Sequence, residues 1–592
     1  MNSENNSQTQ PVMMPEGFTN TLDGLCFSGT DKGQADETIS PQRITPIAIV
    51  CNRDKNKNIH VRLECINYAN ITVIVNVNLQ ALKTGEERII PELAGQGVFI
   101  NSKGKLFTRF IEACCQLPLV EYRLVERPGF QENEFIFLHG HDALFMSERE
   151  NIDGVCLSNS MDVHGAAQSK GTAEEWCDNV ARKLQGMPQI FAALSGFSSP
   201  LLSLLGQSGG MFHLFGGSST GKTLALQVCA SVNGLAGEPG AGENTLIARW
   251  RTTVNGLELL TARSHGMTLP LDELGSFAER SFAPVLYDIV SGMSKVRMDG
   301  ETGGAFAQRL WTLFILSSGE ISLEEKIHSL KEVSMDGMQH RGLSIEVRAE
   351  DSWMPEENAD QARRRIDQLK SAMCDNHGSV GKAFVRQLIS QRDAEGRLLS
   401  QEETSCWLKT EFDSLHEEMQ RRIHSTDTEL NQVESRALQR FSVIFLAGDL
   451  ARRWSLVPWG HDMISDIVYE AYRRWLNNHR YGSGSSRGLL VMLQNQLSRI
   501  YGALVDFKAT RSSGEGRDIG GYRVNEDIFI MPDTLDNWGK AVGMTAKRLA
   551  ALLDEHHFLT RKERDRLTTR ITINGVLANG YLIRHEFLTA KL

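Results

Sequence analysis

The chain lacks most of the features that would place it quickly. Its ten cysteines form no Cys-x-x-Cys pair; Cys114 and Cys115 are adjacent, and others lie scattered at Cys26, Cys65, Cys156, Cys229 and Cys406. That spacing supplies neither a zinc-ligand set nor a disulfide framework, and it reads as reduced thiols in a cytosolic protein. Met1–Gln10 is polar, with no basic segment leading into an apolar one, so it is not read as a secretory signal. No long apolar run is unbroken. The nearest, Ile190–Leu205, is interrupted by Ser195, Gly196, Ser198, Ser199 and Pro200, which points to a buried core helix with a bend and not to a membrane span. Basic charge is not in excess. A net charge of −10 and a pI of about 5.9 exclude a uniformly basic nucleic-acid coat but leave room for a local basic channel. No internal repeat is present, and residues 44–150 hold nothing like a primase active site.

What is present suffices for several cores. The 592 residues are 41% hydrophobic, which suggests three or four domains. Residues 1–43 are rich in Asn, Ser, Gly and Gln and predict a disordered or loosely docked tail. Short β-branched or aromatic runs at Ile47–Cys51, His60–Cys65, Ile71–Val77, Leu119–Val125 and Glu134–Leu138, with a helix near Phe107–Cys115, predict a small α+β domain over 44–150. After a polar connector, Thr172 and Glu175 form a capping box that opens a central α/β domain over 170–350. Residues 351–510 are charged and helix-patterned, including Arg363–Arg365. Residues 517–592 end in a helix, Thr545–Glu555, and two strand-like runs, Arg566–Ile573 and Gly580–His585, a winged-helix-like order with a local excess of Lys and Arg.

One motif dominates. Met211–Phe215 reads as a strand, Leu224–Val232 as a helix, and between them stand Gly216, Gly217, Ser218, Ser219, Thr220, Gly221, Lys222 and Thr223. Glycines let the backbone turn so that successive N–H groups face a triphosphate, and the helix begins at the phosphates with its positive end towards them. Lys222 is then expected to reach the β- and γ-phosphates, and Thr223 to ligate Mg²⁺. The expected cofactors are ATP and Mg²⁺.

About 45 residues on, the apolar run Met267–Leu271 ends in Asp272 and Glu273. Asp272 is expected to hold the metal's hydration shell and Glu273 to act as the base on the attacking water, with Glu258 as a lesser candidate. Pro270 is unusual there, since it removes a ladder donor. The run Leu310–Leu316 predicts a buried strand leading into Ser317, the candidate γ-phosphate sensor. Arg341, ahead of the strand Leu343–Val347, is the candidate arginine finger, with Arg348 the runner-up. Lys295 and Arg297, in a glycine-punctuated segment, are candidate nucleic-acid contacts, as are Lys547 and Arg548 in the last helix.

Several strings together resemble the domain-of-unknown-function 927 family, helicase-like P-loop ATPases of prophages and other bacterial mobile elements. They are Gly171–Trp176, Gly217–Thr223 with Ser231–Gly234, Trp250–Glu258, Leu271–Gly275, Ser317–Glu320 and Gly520–Arg523. The chain departs from the pattern at Pro270 and at Gln339-His340 before Arg341. The resemblance implies a RecA-like or AAA+-like core related to ring helicases. The expected function is therefore an ATP-dependent helicase or translocase on DNA, single-stranded by preference, working as a cytoplasmic homo-oligomer, a hexamer favoured, away from membranes. The alternative is a nucleotide-controlled regulatory or anti-phage ATPase without strand movement.

Overall fold

A computed structural model of the chain describes residues 13–590 apart from 29–36, 53–54, 56–58, 81–85, 102–104, 126, 132–133, 151, 158–164, 241–243, 279–280, 297–307, 331, 333–339, 353–356, 426–428, 482–485, 507–519, 541–544, 562–565 and 574–575. It divides into two compact units, Met1–Val163 and His164–Leu592.

The first unit is built on a five-stranded sheet. Its strands run in the order Gly154–Leu157, Val120–Val125, Ile44–Cys51, His60–Ile66, Thr72–Asn78. Alternate residues of Ile44–Cys51 are buried, as period-two patterning requires when one face meets a core. Helices Glu86–Gly95 and Lys105–Cys114 cover that core through Leu93, Phe107, Phe110 and Ile111, packed on Val61, Leu63 and Val75. Two expectations are corrected here. The expected loose tail is, over its described residues, a three-stranded antiparallel sheet (Phe18–Thr21, Gly24–Phe27, Glu37–Ser40) whose Phe18, Leu25 and Ile39 join the same core. A few apolar residues at strand spacing outweighed the polar composition. The strand Gly154–Leu157, read as connector, pairs in parallel with Tyr122–Val125 and so extends the domain past residue 150.

In the second unit a five-stranded parallel sheet lies at the centre. Its order is Ala248–Arg249, Leu269–Asp272, Phe314–Gly319, Gly210–Phe215, Gly342–Glu346. Helices flank it, so at a coarse level the architecture is that of a P-loop core. Pro270 fits because of register. Asp272 turns its carbonyl to Trp250 N (3.1 Å), so Pro270, two residues earlier, faces the same side, ahead of the two-residue edge strand and where no ladder donor is needed.

Helix Gly186–Leu205 is, among the described residues, the one helix long and apolar enough to cross a membrane by length and composition, yet nearly all of it is buried within the unit. Pro200 inside it removes the bond to the Gly196 carbonyl. Asn233 Nδ2 supplies the missing donor at 2.8 Å, which ties this helix to the end of helix Lys222–Asn233. Helix Gln432–Arg453 packs on the same helix through Phe441 and Phe191.

The carboxyl-terminal part of this unit holds a second sheet. Its order is Val505–Asp506, Gly521–Val524, Asp527–Ile530, Val576–Ile583, Thr569–Ile573. Helix Ser486–Tyr501 packs into its core through Leu489, Leu490, Leu493 and Leu497, so this helix belongs with the C-terminal sheet and not with the helical region before it.

Candidate functional site

Gly210–Phe215 runs straight into the loop 216–221 and then into helix Lys222–Asn233. Gly216 has φ 153°, and a β-carbon there would sit 2.2 Å from the Val347 carbonyl oxygen, so only glycine fits. Ser219 takes a left-handed φ of 62°. The Lys222 ammonium is folded back on the loop itself. It donates to the carbonyls of Gly216 (2.9 Å) and Gly217 (2.6 Å) and to Thr220 Oγ1 (3.1 Å). Burial pulls its pKa below the ordinary lysine value, while Glu320, Glu273 and Asp272 act in the opposite sense. The cation is thus held by uncharged acceptors, with three carboxylates acting on it from nearby.

The acidic pair is pinned by one hydroxyl. Ser318 Oγ donates to Asp272 Oδ1 at 2.5 Å and accepts from Glu273 N at 3.1 Å. Asp272 is buried, whereas Glu273 is exposed in a left-handed conformation (φ 61°, ψ 73°) that a non-glycine residue adopts only at a cost of about 1 kcal/mol or more. The strain turns consecutive carboxylates to different tasks, one held and one free. A cavity of about 450 Å³ joins them to the loop. Ser218–Thr223, Asp272, Glu273, Ser318 and Glu320 line one side, and Ala362, Arg363, Ile366 and Lys370 of helix Ala359–Asp375 line the other.

Ser317 is corrected. The sensor strand is Phe314–Gly319, later than expected, which puts Ser317 inside it and facing away from the cavity. Trp250 Nε1 donates to Ser317 Oγ (2.8 Å), Ser317 donates to His213 Nδ1 (3.0 Å), and His213 Nε2 donates to the Ile321 carbonyl (2.9 Å). Burial drives the His213 pKa down to about 4, so this relay is neutral and structural. Its neighbour Ser318, on the opposite face, is the serine that lines the cavity and bonds Asp272 and Glu273. The alternation of a strand is the signal that would have found it. Glu258 is also corrected: it is wholly buried on helix Val254–Arg263 and does not line the cavity.

Other candidates lie elsewhere. Arg341 directly precedes the strand Gly342–Glu346, whose Gly342 pairs with Met211, so it stands at the amino ends of the parallel strands, whereas the loop leaves their carboxyl ends. Its guanidinium stacks over Tyr287 and donates to Ser291 Oγ (3.4 Å). Arg348 is at the loop's end of that strand but pairs with Glu346. Lys295 lies two residues after Met293, which forms an antiparallel bridge with Leu310, and is ion-paired with Asp288 at 3.2 Å. Lys547 is exposed on helix Ala546–Glu555. Arg297 and the Arg548 side chain lie outside the described residues. Sequence reasoning missed a second cavity, of about 210 Å³, lined by Arg566, Thr568, Arg570 and Asn579 on the last hairpin, where Arg570 and Asn579 are cross-strand partners.

Residues 18–308 match the model of a family described as a domain of unknown function, DUF927. The chain carries a DUF927 domain. That match takes in the phosphate loop and the acidic strand, and stops short of the sensor strand and of helix Ala359–Asp375. No curated protein matches the sequence. A solved structure described as "SCCmec type IV Cch - active helicase" aligns with TM-score 0.63 and 18% identity over 97% of this chain and 98% of that one. At that identity the likeness is one of fold. Another, "The A form apo structure of NrS-1 C terminal region-CTR", covers 90% of this chain and 96% of that one at TM-score 0.24 and 8% identity, too distant to carry an argument.

Proposed function

We propose that the chain is an ATP-driven helicase or translocase on DNA, working in the cytoplasm as a ring-shaped homo-oligomer. One observation carries this reading: Lys222 and the Asp272–Ser318–Glu273 unit share a single cavity at the carboxyl ends of parallel strands. The acidic strand is separated from the loop strand by the sensor strand, the order found in RecA-like and AAA+-like motors. The full-length likeness in fold to a protein described as an active helicase supports the motor over a generic NTPase.

The residues fit a Mg²⁺-triphosphate. Asp272 Oδ1 is held by Ser318, leaving Oδ2 for a metal-bound water, and the Thr223 hydroxyl lies in the same cavity. When bound, the metal neutralises phosphate charge. Lys222 leaves the Gly216 and Gly217 carbonyls for the β- and γ-oxygens. Glu273, free of side-chain partners in its cavity position, orients and deprotonates the attacking water. Arg363 lines the same cavity from within the same chain. The remoteness of Arg341 from its own cavity supports a role on a neighbouring subunit's nucleotide. Lys295, and the arginines of the last hairpin in a winged-helix-like domain, are the proposed DNA contacts.

The ion pair between Lys295 and Asp288 favours a second reading, a nucleotide-controlled regulator that does not move along a strand. The test is ATP turnover by wild type and Lys222→Ala, with and without single-stranded DNA, read alongside native mass. Turnover that rises with DNA, vanishes in the variant and comes from an oligomer supports the motor. Turnover indifferent to DNA turns the case to the regulator.

A further inference from the structure

Lys295 stands on a segment that grows out of helix Ala283–Ser291. Gly292, in a left-handed conformation (φ 84°), ends that helix. The chain leaving it is tied to the approach to the sensor strand: Trp311 N donates to the Gly292 carbonyl (2.9 Å), Met293 bridges Leu310, and Ser294 N donates to the Arg309 carbonyl (2.9 Å). Asp288 of the same helix holds Lys295. These bonds lie before the sensor strand Phe314–Gly319 begins, whereas the cavity lies where it ends. Where helix Ala283–Ser291 points therefore sets where Lys295 stands.

That helix is gripped by one chain segment that starts and finishes beside the cavity. Glu320 lines the cavity, and Ser322 then caps helix Leu323–Ser329 in a reciprocal box with Glu325. Glu332 N donates to the Ile327 carbonyl (3.1 Å), which fixes Glu332 on the end of that helix. Its carboxylate reaches across to the start of helix Ala283–Ser291. Oε1 accepts from Phe282 N (2.9 Å), and Oε2 accepts from Phe282 N (3.0 Å) and Ala283 N (2.6 Å). Further along the segment, Arg341 stacks over Tyr287 and donates to Ser291 Oγ at the other end of the helix. Val347 N then returns to the Phe215 carbonyl (2.7 Å), where the loop strand ends.

Helix Ala283–Ser291 has no side-chain cap from its own first residues. A neighbouring Ser, Thr, Asp or Asn would meet the orphan amides locally. A carboxylate 50 residues on meets them instead, with the added strength of charge against the helix's positive end. The helix is thereby made to answer to helix Leu323–Ser329, whose start adjoins the cavity.

We propose that Glu332 is a positioning residue that couples the nucleotide cavity to Lys295. A triphosphate entering beside Glu320 shifts the start of helix Leu323–Ser329, and Glu332 passes the shift to helix Ala283–Ser291. The coupling is reciprocal, so DNA at Lys295 alters nucleotide affinity by the same factor. The proposal rests on the motor reading above and adds the link between its two sites.

The experiment compares the full chain with Glu332→Ala in three readings. These are ATP turnover with and without single-stranded DNA, affinity for a fluorescent single-stranded oligonucleotide with and without Mg²⁺ and a non-hydrolysable ATP analogue, and hydrogen exchange over residues 282–296 as the analogue binds. In wild type the analogue is expected to change oligonucleotide affinity about five-fold or more and to alter exchange over 282–296. In Glu332→Ala basal turnover stays near wild type while the affinity ratio falls towards one. Glu332→Gln, which still accepts from the amides, restores part of the ratio. An unchanged ratio in Glu332→Ala overturns the proposal. So does an equal fall in basal and DNA-stimulated turnover, which marks a merely structural cap. Should both variants fail to fold, wild-type exchange decides: no change over 282–296 overturns it. If wild-type turnover rises with DNA but the analogue leaves oligonucleotide affinity unchanged, the proposal falls and the motor reading stands. If turnover is indifferent to DNA, the motor reading itself falls and this inference with it.

Discussion

The two ends of the central parallel sheet are built to opposite rules. At the carboxyl ends stand left-handed Ser219 and Glu273, a cation resting on carbonyls and an open cavity. At the amino ends everything is closed. Buried Arg440 donates to the Gly209 carbonyl (3.2 Å) and Ser208 Oγ (3.2 Å) and so clamps helix Gln432–Arg453 to the start of the loop strand. A β-carbon at Gly209 would fall 1.9 Å from the Leu313 carbonyl oxygen. His340 is crowded by burial and by Arg440, Arg341 and Arg436, which hold its pKa down at about 4. Backbone strain and a cation resting on carbonyls sit beside the open cavity, and close packing sits at the other end.

This contrast can be broken from either end. The largest expected effect is at the open end: Lys222→Ala or Asp272→Asn lowers ATP turnover by at least ~10²-fold, on the scale of losing a principal electrostatic stabiliser, with an unchanged melting temperature. A variant that turns over normally would remove Lys222 from the chemistry.

Next comes the closed end. Gly209→Ala is expected to cost about 3 kcal/mol or more, because the clash is with backbone. Urea titration reads this as a lower midpoint, while the turnover of the surviving folded fraction stays near wild type.

The paired serines give a sharper test. Ser318→Ala frees Asp272 Oδ1 and Glu273 N and should reduce turnover roughly 10-fold with little loss of stability. Ser317→Ala breaks a buried relay and should cost roughly 1–3 kcal/mol while leaving turnover alone. A reversed pattern would restore Ser317 as the sensor.

The smallest expected effect is in pH. His213 in the folded chain titrates at about 4 against an ordinary 6.5, so the unfolded chain takes up the proton first. The neutral relay's contribution is complete above about 6.5 and is lost as pH falls towards 4. Melting temperatures of wild type should decline across that window more steeply than those of His213→Gln; parallel curves would mean the ring is solvated.

Much of this was legible in the residues, for identifiable reasons. The loop 216–223 announces itself because glycines, a lysine and a threonine at fixed spacing are needed by backbone chemistry that is local. Asp272 and Glu273 were legible because an apolar run ends there. The capping box at Thr172 and Glu175 is local too, and both of its bonds are present. What could not be read was which face a residue takes when the strand boundary is uncertain. A shift of the sensor strand from 310–316 to 314–319 exchanged Ser317 for Ser318.

By itself, then, the chain's order of residues determined that a glycine-rich strand–loop–helix turn carrying Lys222 and Thr223, and two acids after an apolar run, exist, since each depends on neighbours a few positions away. Only the tertiary structure decided that Ser318 joins those acids and that helix Ala359–Asp375 closes the cavity with Arg363 and Lys370. It also decided that Arg341 stands at the far edge of the sheet and that Glu332 caps helix Ala283–Ser291. Each of these depends on register or packing between segments tens to more than a hundred residues apart, which no local pattern encodes.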